Sequence, residues 1–328
     1  MADLKTKYVG LELKNPVIVG SCSLSKSIDG IKRLEDAGAG GIVLKSLFEE
    51  QIQINNVEQY TQYISPSWHY EAFDYVSRMG MELGPDEYLN LIEKAKSSTE
   101  IPIIASLNCV TGGWWGDYAR KIESAGADAL EVNIAYLVIE PARKAEEVER
   151  EYYATFEYVR EAVKIPVAVK LGPFFTSFAN LASGLVSRGA DGLVLFNRFY
   201  QFDIDIDNLK PVAGAHLSNP DEISLPLRWI ALLYGILDCD LAATTGVHDG
   251  LGVFKMILAG ATVVQVVSAL YKNGIDYIST IIKEFERLMD EKGYKSTEDM
   301  RGIVSRSESE KPELFERLQY IKALVGIE

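Results

Sequence analysis

Cysteine and histidine are scarce in this chain, and their spacing is as informative as their number. Cys22, Cys109 and Cys239 form an odd set with no Cys-x-x-Cys pair. That excludes a disulfide framework, a zinc ribbon and a thiolate-held iron–sulfur cluster, and it predicts a reduced, cytoplasmic compartment. His69, His216 and His248 show no ligand spacing, so no metal is expected. Positive charge is also short. Lys and Arg number 33 against 47 Asp and Glu, a net −14 that argues against a nucleic-acid partner. No apolar run reaches the length of a membrane span, and the opening MADLKTKYVGLELKN holds no signal-peptide core. Low-complexity segments are missing too.

What is present is a repeated punctuation. Gly-Ala precedes an apolar run four times: Gly38-Ala39, Gly126-Ala127, Gly189-Ala190 and Gly260-Ala261. Three other runs open on proline, at Pro16, Pro102 and Pro166, and an eighth, DLAATTG, starts at Asp240. Glycine ends a helix and proline begins a strand at little cost. Eight short buried strands alternating with helical spacing predict an α/β fold, a (β/α)8 TIM barrel, and 328 residues suit one barrel domain over 1–328 with insertions.

Strands are expected at 17–21, 41–46, 102–108, 128–135, 167–171, 192–197, 240–245 and 262–269, after an N-terminal hairpin around Gly10. Helices are expected near 25–37, 86–98, 114–125, 141–164 (with Pro141 in its first turn) and 276–292, then a polar helical tail over 294–328. Two long βα insertions, 47–85 and 199–224, are expected to cover the barrel mouth.

Barrel enzymes carry their chemistry at the C-terminal ends of the strands. Here every strand ends in a polar residue: Ser21, Lys45, Asn108, Asn133, Lys170, Asn197, Thr244 and Ser268. A lysine inside GIVLKS or VAVKLG is costly to bury without an anionic partner, and Glu131, two residues before Asn133, is the candidate partner for Lys170. Thr244-Thr245-Gly246 after the seventh strand and Val267-Ser268 after the eighth lie where such barrels hold a phosphate, and Gly250 and Gly252 allow close backbone approach. A phosphate-bearing cofactor beside lysines and asparagines suggests flavin mononucleotide (FMN).

These motifs resemble the dihydroorotate dehydrogenase family along nearly the whole barrel. The resemblance rests on Asn15-Pro16 followed by Gly20-Ser21-Cys22, on Lys45-Ser46, on Glu131-x-Asn133, on Val169-Lys170-Leu171, on Asn197, and on Gly246 with the Gln265–Leu270 segment. It implies that Gly20, Ser21, Lys45, Ser46, Asn108, Asn133 and Lys170 surround a flavin and that Thr245, Gly246, Val267 and Ser268 hold its phosphate. It further implies a homodimer and, with no iron–sulfur cysteines or membrane helix, a soluble electron acceptor.

The chain departs from the family where the catalytic base is expected. The Asn-Leu-Ser-Cys-Pro-Asn motif is replaced by Asn133-Ile134-Ala135-Tyr136-Leu137-Val138, so Tyr136 stands at the base position and Val138 at a substrate amide. Glu82 replaces a second substrate asparagine, and Arg198 follows Asn197. Tyr136 is open to two readings, an acid–base group or a packing ring. Cys22 and Cys109 near the mouth are open to the same pair, thiol base or small buried hydrophobe. Trp114 and Trp115 are expected to shield the flavin or a dimer contact. Lys170 and Tyr136 are the catalytic candidates, with Glu82, Asn197 and Arg198 facing substrate. Three functions remain open: a dihydroorotate dehydrogenase-like oxidoreductase or a related pyrimidine or enone reductase, a flavin-binding barrel without dehydrogenase activity, and a non-redox barrel holding a phosphorylated metabolite.

Overall fold

Val9 and Gly10 both take positive φ, 44° and 85°, the backbone of a two-residue hairpin turn. The turn joins β1 (Thr6–Tyr8) to β2 (Leu11–Leu13) in antiparallel register, as expected at Gly10. The structure is a computed structural model that describes residues 2–49, 51, 84–109, 115–136, 138–198, 201–214 and 216–326. Most of the 47–85 insertion, with Glu82, Trp68 and His69, and also Trp114, lies outside the described residues.

Behind the hairpin, eight parallel strands close into a barrel. They are β3 (Val17–Val19), a second strand in two pieces, β4 (Ile42–Val43) and β5 (Leu47–Phe48), then β6 (Ile103–Cys109), β7 (Ala129–Ile134), β8 (Val167–Leu171), β9 (Gly192–Leu195), β12 (Asp240–Thr244) and β13 (Val263–Val266). β13 pairs with β3, and β4 pairs with both β3 and β6, so the sheet has no free edge. A separate hairpin, β10 (Gln201–Asp205) with β11 (Lys210–Gly214), rises from the insertion after β9.

The helices between strands are α1 (Ile28–Asp36), α2 (Pro85–Ser98), α3 (Trp115–Ser124), α4 (Ala145–Ala162), α5 (Phe178–Val186), α6 (Ser224–Leu233) and α7 (Gly250–Ala259). After β13 come α8 (Ser268–Asn273), α9 (Tyr277–Lys292), α10 (Thr297–Met300) and α11 (Phe315–Val325). The four Gly-Ala doublets sit where helices end, their glycines at φ 104°, 96°, 93° and 122°, a conformation that side chains with a Cβ rarely adopt.

Several features differ from expectation. The fourth helix starts not at Pro141 but at Ala145, where the Glu147 carboxylate accepts the Lys144 amide at 3.2 Å and caps the first turn. The eighth strand stops at Val266, and Ser268 opens α8 instead of ending a strand. Gly250 and Gly252 admit protein: a Cβ on Gly250 would lie 2.5 Å from the Phe285 amide of α9, and one on Gly252 3.2 Å from the Val247 side chain. Trp115 is buried in the core under α3, so the flavin-shielding role expected of it does not hold.

The floor of the barrel is apolar. Ile18, Val43, Ile104, Ala129, Ala168, Val194, Ala242 and Val263, one from each strand, pack with Tyr8, Val9 and Leu13 of the hairpin. The hairpin is therefore a plug. Its turn is tied down by Asp240, whose carboxylate accepts the Val9 amide at 2.6 Å.

Candidate active site

Side chains alternate faces along a strand, so the next inward layer lies two residues further on. Above the apolar floor that layer reads Gly20, Ser106, Glu131, Lys170, Phe196, Thr244 and Gln265, an abrupt change to polar chemistry. Three of these form one cluster. Lys170 Nζ donates to Gln265 Oε1 at 3.3 Å and faces Glu131 Oε1 at 3.5 Å, while Gln265 Nε2 donates to Glu131 Oε2. The Lys170 side chain is 12% exposed and that of Glu131 2%, so this ion pair is sealed below the mouth. The pairing of Lys170 with Glu131 expected from spacing is present. Gln265 enters the sequence reading only as the first residue of the Gln265–Leu270 family segment, with no role attached.

The second strand carries a bulge that sequence reading missed. Val43 pairs with Ile104 and Leu47 with Leu107, so four steps run against three and the extra residue falls at Lys45-Ser46. Two neighbours thereby stand opposite the single residue Ser106. Ser46 Oγ meets Ser106 Oγ at 2.7 Å and Ser21 Oγ at 2.9 Å, and Ser21 Oγ accepts the Ser46 amide at 2.8 Å. The ladder groups that the bulge leaves open on Ser106 are taken by Tyr88 of α2, which accepts from its N–H at 2.8 Å and donates to its C=O at 3.2 Å. Lys45 is half-buried beside this serine group, with no ion pair among the described residues.

Asn108 and Asn133 are register partners on β6 and β7, and Asn133 is in turn opposite Lys170. Asn197 Nδ2 donates to Asn133 Oδ1 at 3.0 Å, so a residue expected to face substrate supports one expected to face the cofactor. Arg198 does not stand free to receive a carboxylate. Its guanidinium makes a two-point contact with Glu222 at 2.9 and 3.0 Å and also donates to the His216 carbonyl.

The turn after β12 places Thr245 at φ 76° and Gly246 at φ 79°. Positive φ at a threonine is strained, and its Oγ1 is anchored to the Phe196 carbonyl at 3.1 Å. A Cβ on Gly246 would lie 2.1 Å from the Ile223 amide. Here the end of the 199–224 insertion packs on the strand ends, as does Ser218, whose amide donates to Ser268 Oγ at 3.0 Å. The amides of Gly246, Val247, Ser268 and Ala269 have no hydrogen-bond partner among the described residues. Unused N–H groups on two neighbouring strand ends suit an anion such as a phosphate. Gly20 adds a narrow cradle, since a Cβ there would lie 3.0 Å from Val267 and 3.1 Å from Gln265.

Tyr136 turns away from this cluster. Its hydroxyl shares a 2.6 Å hydrogen bond with the buried Thr155 of α4, its amide donates to Tyr152 Oη at 3.3 Å, and its ring meets Tyr152 edge-on at 4.9 Å. The ring thus belongs to the layer between strands and helices. Beside it opens a cavity of about 490 Å³ lined by Val138, Tyr152, Phe175 and other side chains of the loops after β7, β8 and β9. Cys22 is half-buried, and burial raises its thiol above the ordinary range, which makes it a poor base. The Cys109 side chain lies outside the described residues.

Among the described residues no helix is long and apolar enough to cross a membrane, and no cluster of metal-ligating side chains occurs. The family model described as dihydroorotate dehydrogenase matches residues 3–289. Similar curated proteins include the "Dihydroorotate dehydrogenase B (NAD(+)), catalytic subunit" of Methanocaldococcus jannaschii, 28% identical over 88% of this chain and 94% of that protein. The proteins of the same name from Pyrococcus abyssi (26%, 92% of this chain and 99% of theirs) and Methanosarcina acetivorans (28%, 90% and 94%) are similar to it over comparable lengths.

Proposed function

From the premise that the chain belongs to the dihydroorotate dehydrogenase family, we propose an FMN-dependent oxidoreductase whose natural substrate is a small dihydro or unsaturated ring compound other than dihydroorotate. Bound FMN supplies a two-electron acceptor for hydride. The observation that carries the reading is the contrast within the mouth. The Lys170–Gln265–Glu131 cluster and the four unpartnered amides suit a flavin and its phosphate, while the base position is occupied by a ring bonded to Thr155.

In this reading the Gly246 and Ser268 amides hold the phosphate, and Ser21, Ser46 and Asn108 line the flavin's flank. Lys170 contributes positive charge at the edge that becomes anionic, and Glu131 and Gln265 fix its direction. Asn133, supported by Asn197, presents an amide to the ring. Arg198 is held by Glu222, and its charge is already neutralised. A carboxylate such as that of dihydroorotate therefore gains little there. Barrel pairing and a soluble acceptor belong to the same proposal, in keeping with the NAD(+) in the relatives' names.

Two measurements test it. The purified protein should be yellow, with flavin released on denaturation; a colourless protein that retains no flavin when offered FMN overturns the cofactor reading. Mixing the oxidised protein with dihydroorotate without oxygen should bleach the flavin slowly or not at all. Rapid bleaching restores the family activity. A yellow protein that no dihydro compound reduces is the flavin-binding barrel without dehydrogenase activity.

A further inference from the structure

The cavity beside Tyr136 has an unusual lining. Its walls come from three separate segments and one helix: Tyr136 and Val138 after β7, Gly172, Phe174, Phe175 and Thr176 after β8, Phe202 from the β10 strand, and Val148, Glu149 and Tyr152 of α4. Both tyrosines spend their polar atoms inside the protein. Tyr136 Oη is bonded to Thr155, and Tyr152 Oη accepts the Tyr136 amide. What they offer the cavity is ring surface. Phe175 continues the wall, edge-on to Tyr152 at 5.2 Å.

At the cavity's edge, Phe174 is 78% exposed and Phe202 is 65% exposed. They belong to different loops yet converge on one opening. Exposed phenyl groups grouped at the border of a concave apolar space suit a ligand site. The volume, about 490 Å³, falls within the range of small-molecule pockets. Among the described residues Glu149 is the one charged side chain of the lining, and it would repel an anion.

We infer that this cavity is a subsite for a neutral, ring-bearing apolar group, and that it receives the apolar end of the substrate. The second half of the statement rests on the flavin reading above. Tyr136 and Val138 occupy the positions at which the family resemblance sets the base and a substrate amide. Gly172 follows Lys170 by two residues, just past the end of β8. The cavity is therefore built from the loops that directly follow the strands of the polar cluster, and it offers ring contacts where the family resemblance sets hydrogen bonds.

The test uses the full chain as purified and the fluorescent probe N-phenyl-1-naphthylamine, compared with its sulfonated analogue 1-anilinonaphthalene-8-sulfonate. The neutral probe should bind saturably at one site per chain. The sulfonate should bind about tenfold more weakly, and Glu149→Gln should narrow that gap. Phe174→Ser with Phe202→Ser, both at exposed positions, should weaken the neutral probe about tenfold, and Val138→Asp should weaken it more. These variants should keep the wild-type thermal transition and flavin content. Binding of the neutral probe should also perturb the visible flavin band.

No saturable binding, or binding indifferent to Val138→Asp and to the double serine variant, overturns the subsite. Equal affinity for the sulfonate overturns its preference for neutral groups. Probe binding that leaves the flavin band untouched overturns its assignment to the substrate. A colourless protein that still binds the probe at this cavity overturns the flavin reading while the ring-binding site stands. A yellow protein that ignores the probe does the reverse.

Discussion

The two sides of the barrel mouth are built on opposite terms. Inside the mouth, the proposed recognition rests on backbone amides beside the strained turn after β12 and on a sealed ammonium–amide–carboxylate cluster drawn from β8, β13 and β7. Outside β7 and β8, in their loops and α4, it rests on rings whose hydroxyls are bonded within the protein. The first kind of surface tolerates almost no change, because each lost partner strands a buried polar group. The second is governed by shape and area, so substitutions shift preference without breaking the fold. A chain of this family could thus alter what it acts on by changing one side only.

That asymmetry can be broken deliberately, and the largest effect belongs to the cluster. Glu131→Gln leaves the Lys170 ammonium buried without its counter-charge, and should cost about 3–5 kcal/mol in urea unfolding. Adding Lys170→Met should recover most of it, while flavin binding stays impaired in both proteins. A single Glu131→Gln protein as stable as wild type would show the pair to be dispensable. The strained turn comes next. Gly246→Ala drives a Cβ into the Ile223 amide at positive φ, and should cost roughly 1–3 kcal/mol and release flavin, read from the ratio of visible to ultraviolet absorbance. On the other side the effect should be smallest. Tyr136→Phe removes one hydrogen bond to Thr155, about 1 kcal/mol, and should leave flavin content and reduction rate unchanged. Loss of substrate-driven bleaching in that variant would make Tyr136 the base and place chemistry on the aromatic side after all.

Much of this was legible before any coordinates. The Gly-Ala doublets mark helix ends because only glycine takes those φ values cheaply, so their recurrence locates four of the eight barrel strands. Lysine in VAVKLG needed a buried anion, and Glu131 was the residue of the right parity to provide it. The rest was out of reach for identifiable reasons. VVQVVSAL is apolar in both its strand and its helix, so hydrophobicity alone could not end β13 at Val266. The bulge at Lys45-Ser46 is a property of two strands together, and no single-strand pattern reveals it. Arg198 looked available for substrate because its partner, Glu222, comes 24 residues later on a turn whose approach depends on the tertiary fold.

The hairpin plug has a consequence for traffic. With Tyr8, Val9 and Leu13 filling the far end of the barrel, the described residues close that end of the interior and leave the mouth at the strand C-termini as its approach. Any donor and any acceptor that exchange electrons with a group bound in this mouth must arrive by the same door. They are then separated in time instead of in space: the first product has to depart before the second reactant can approach, and each competes with the other for the vacant entrance. In the proposed reading, a floor built of eight apolar side chains and a two-residue turn would thereby bear on the order of events at the opposite end of the molecule.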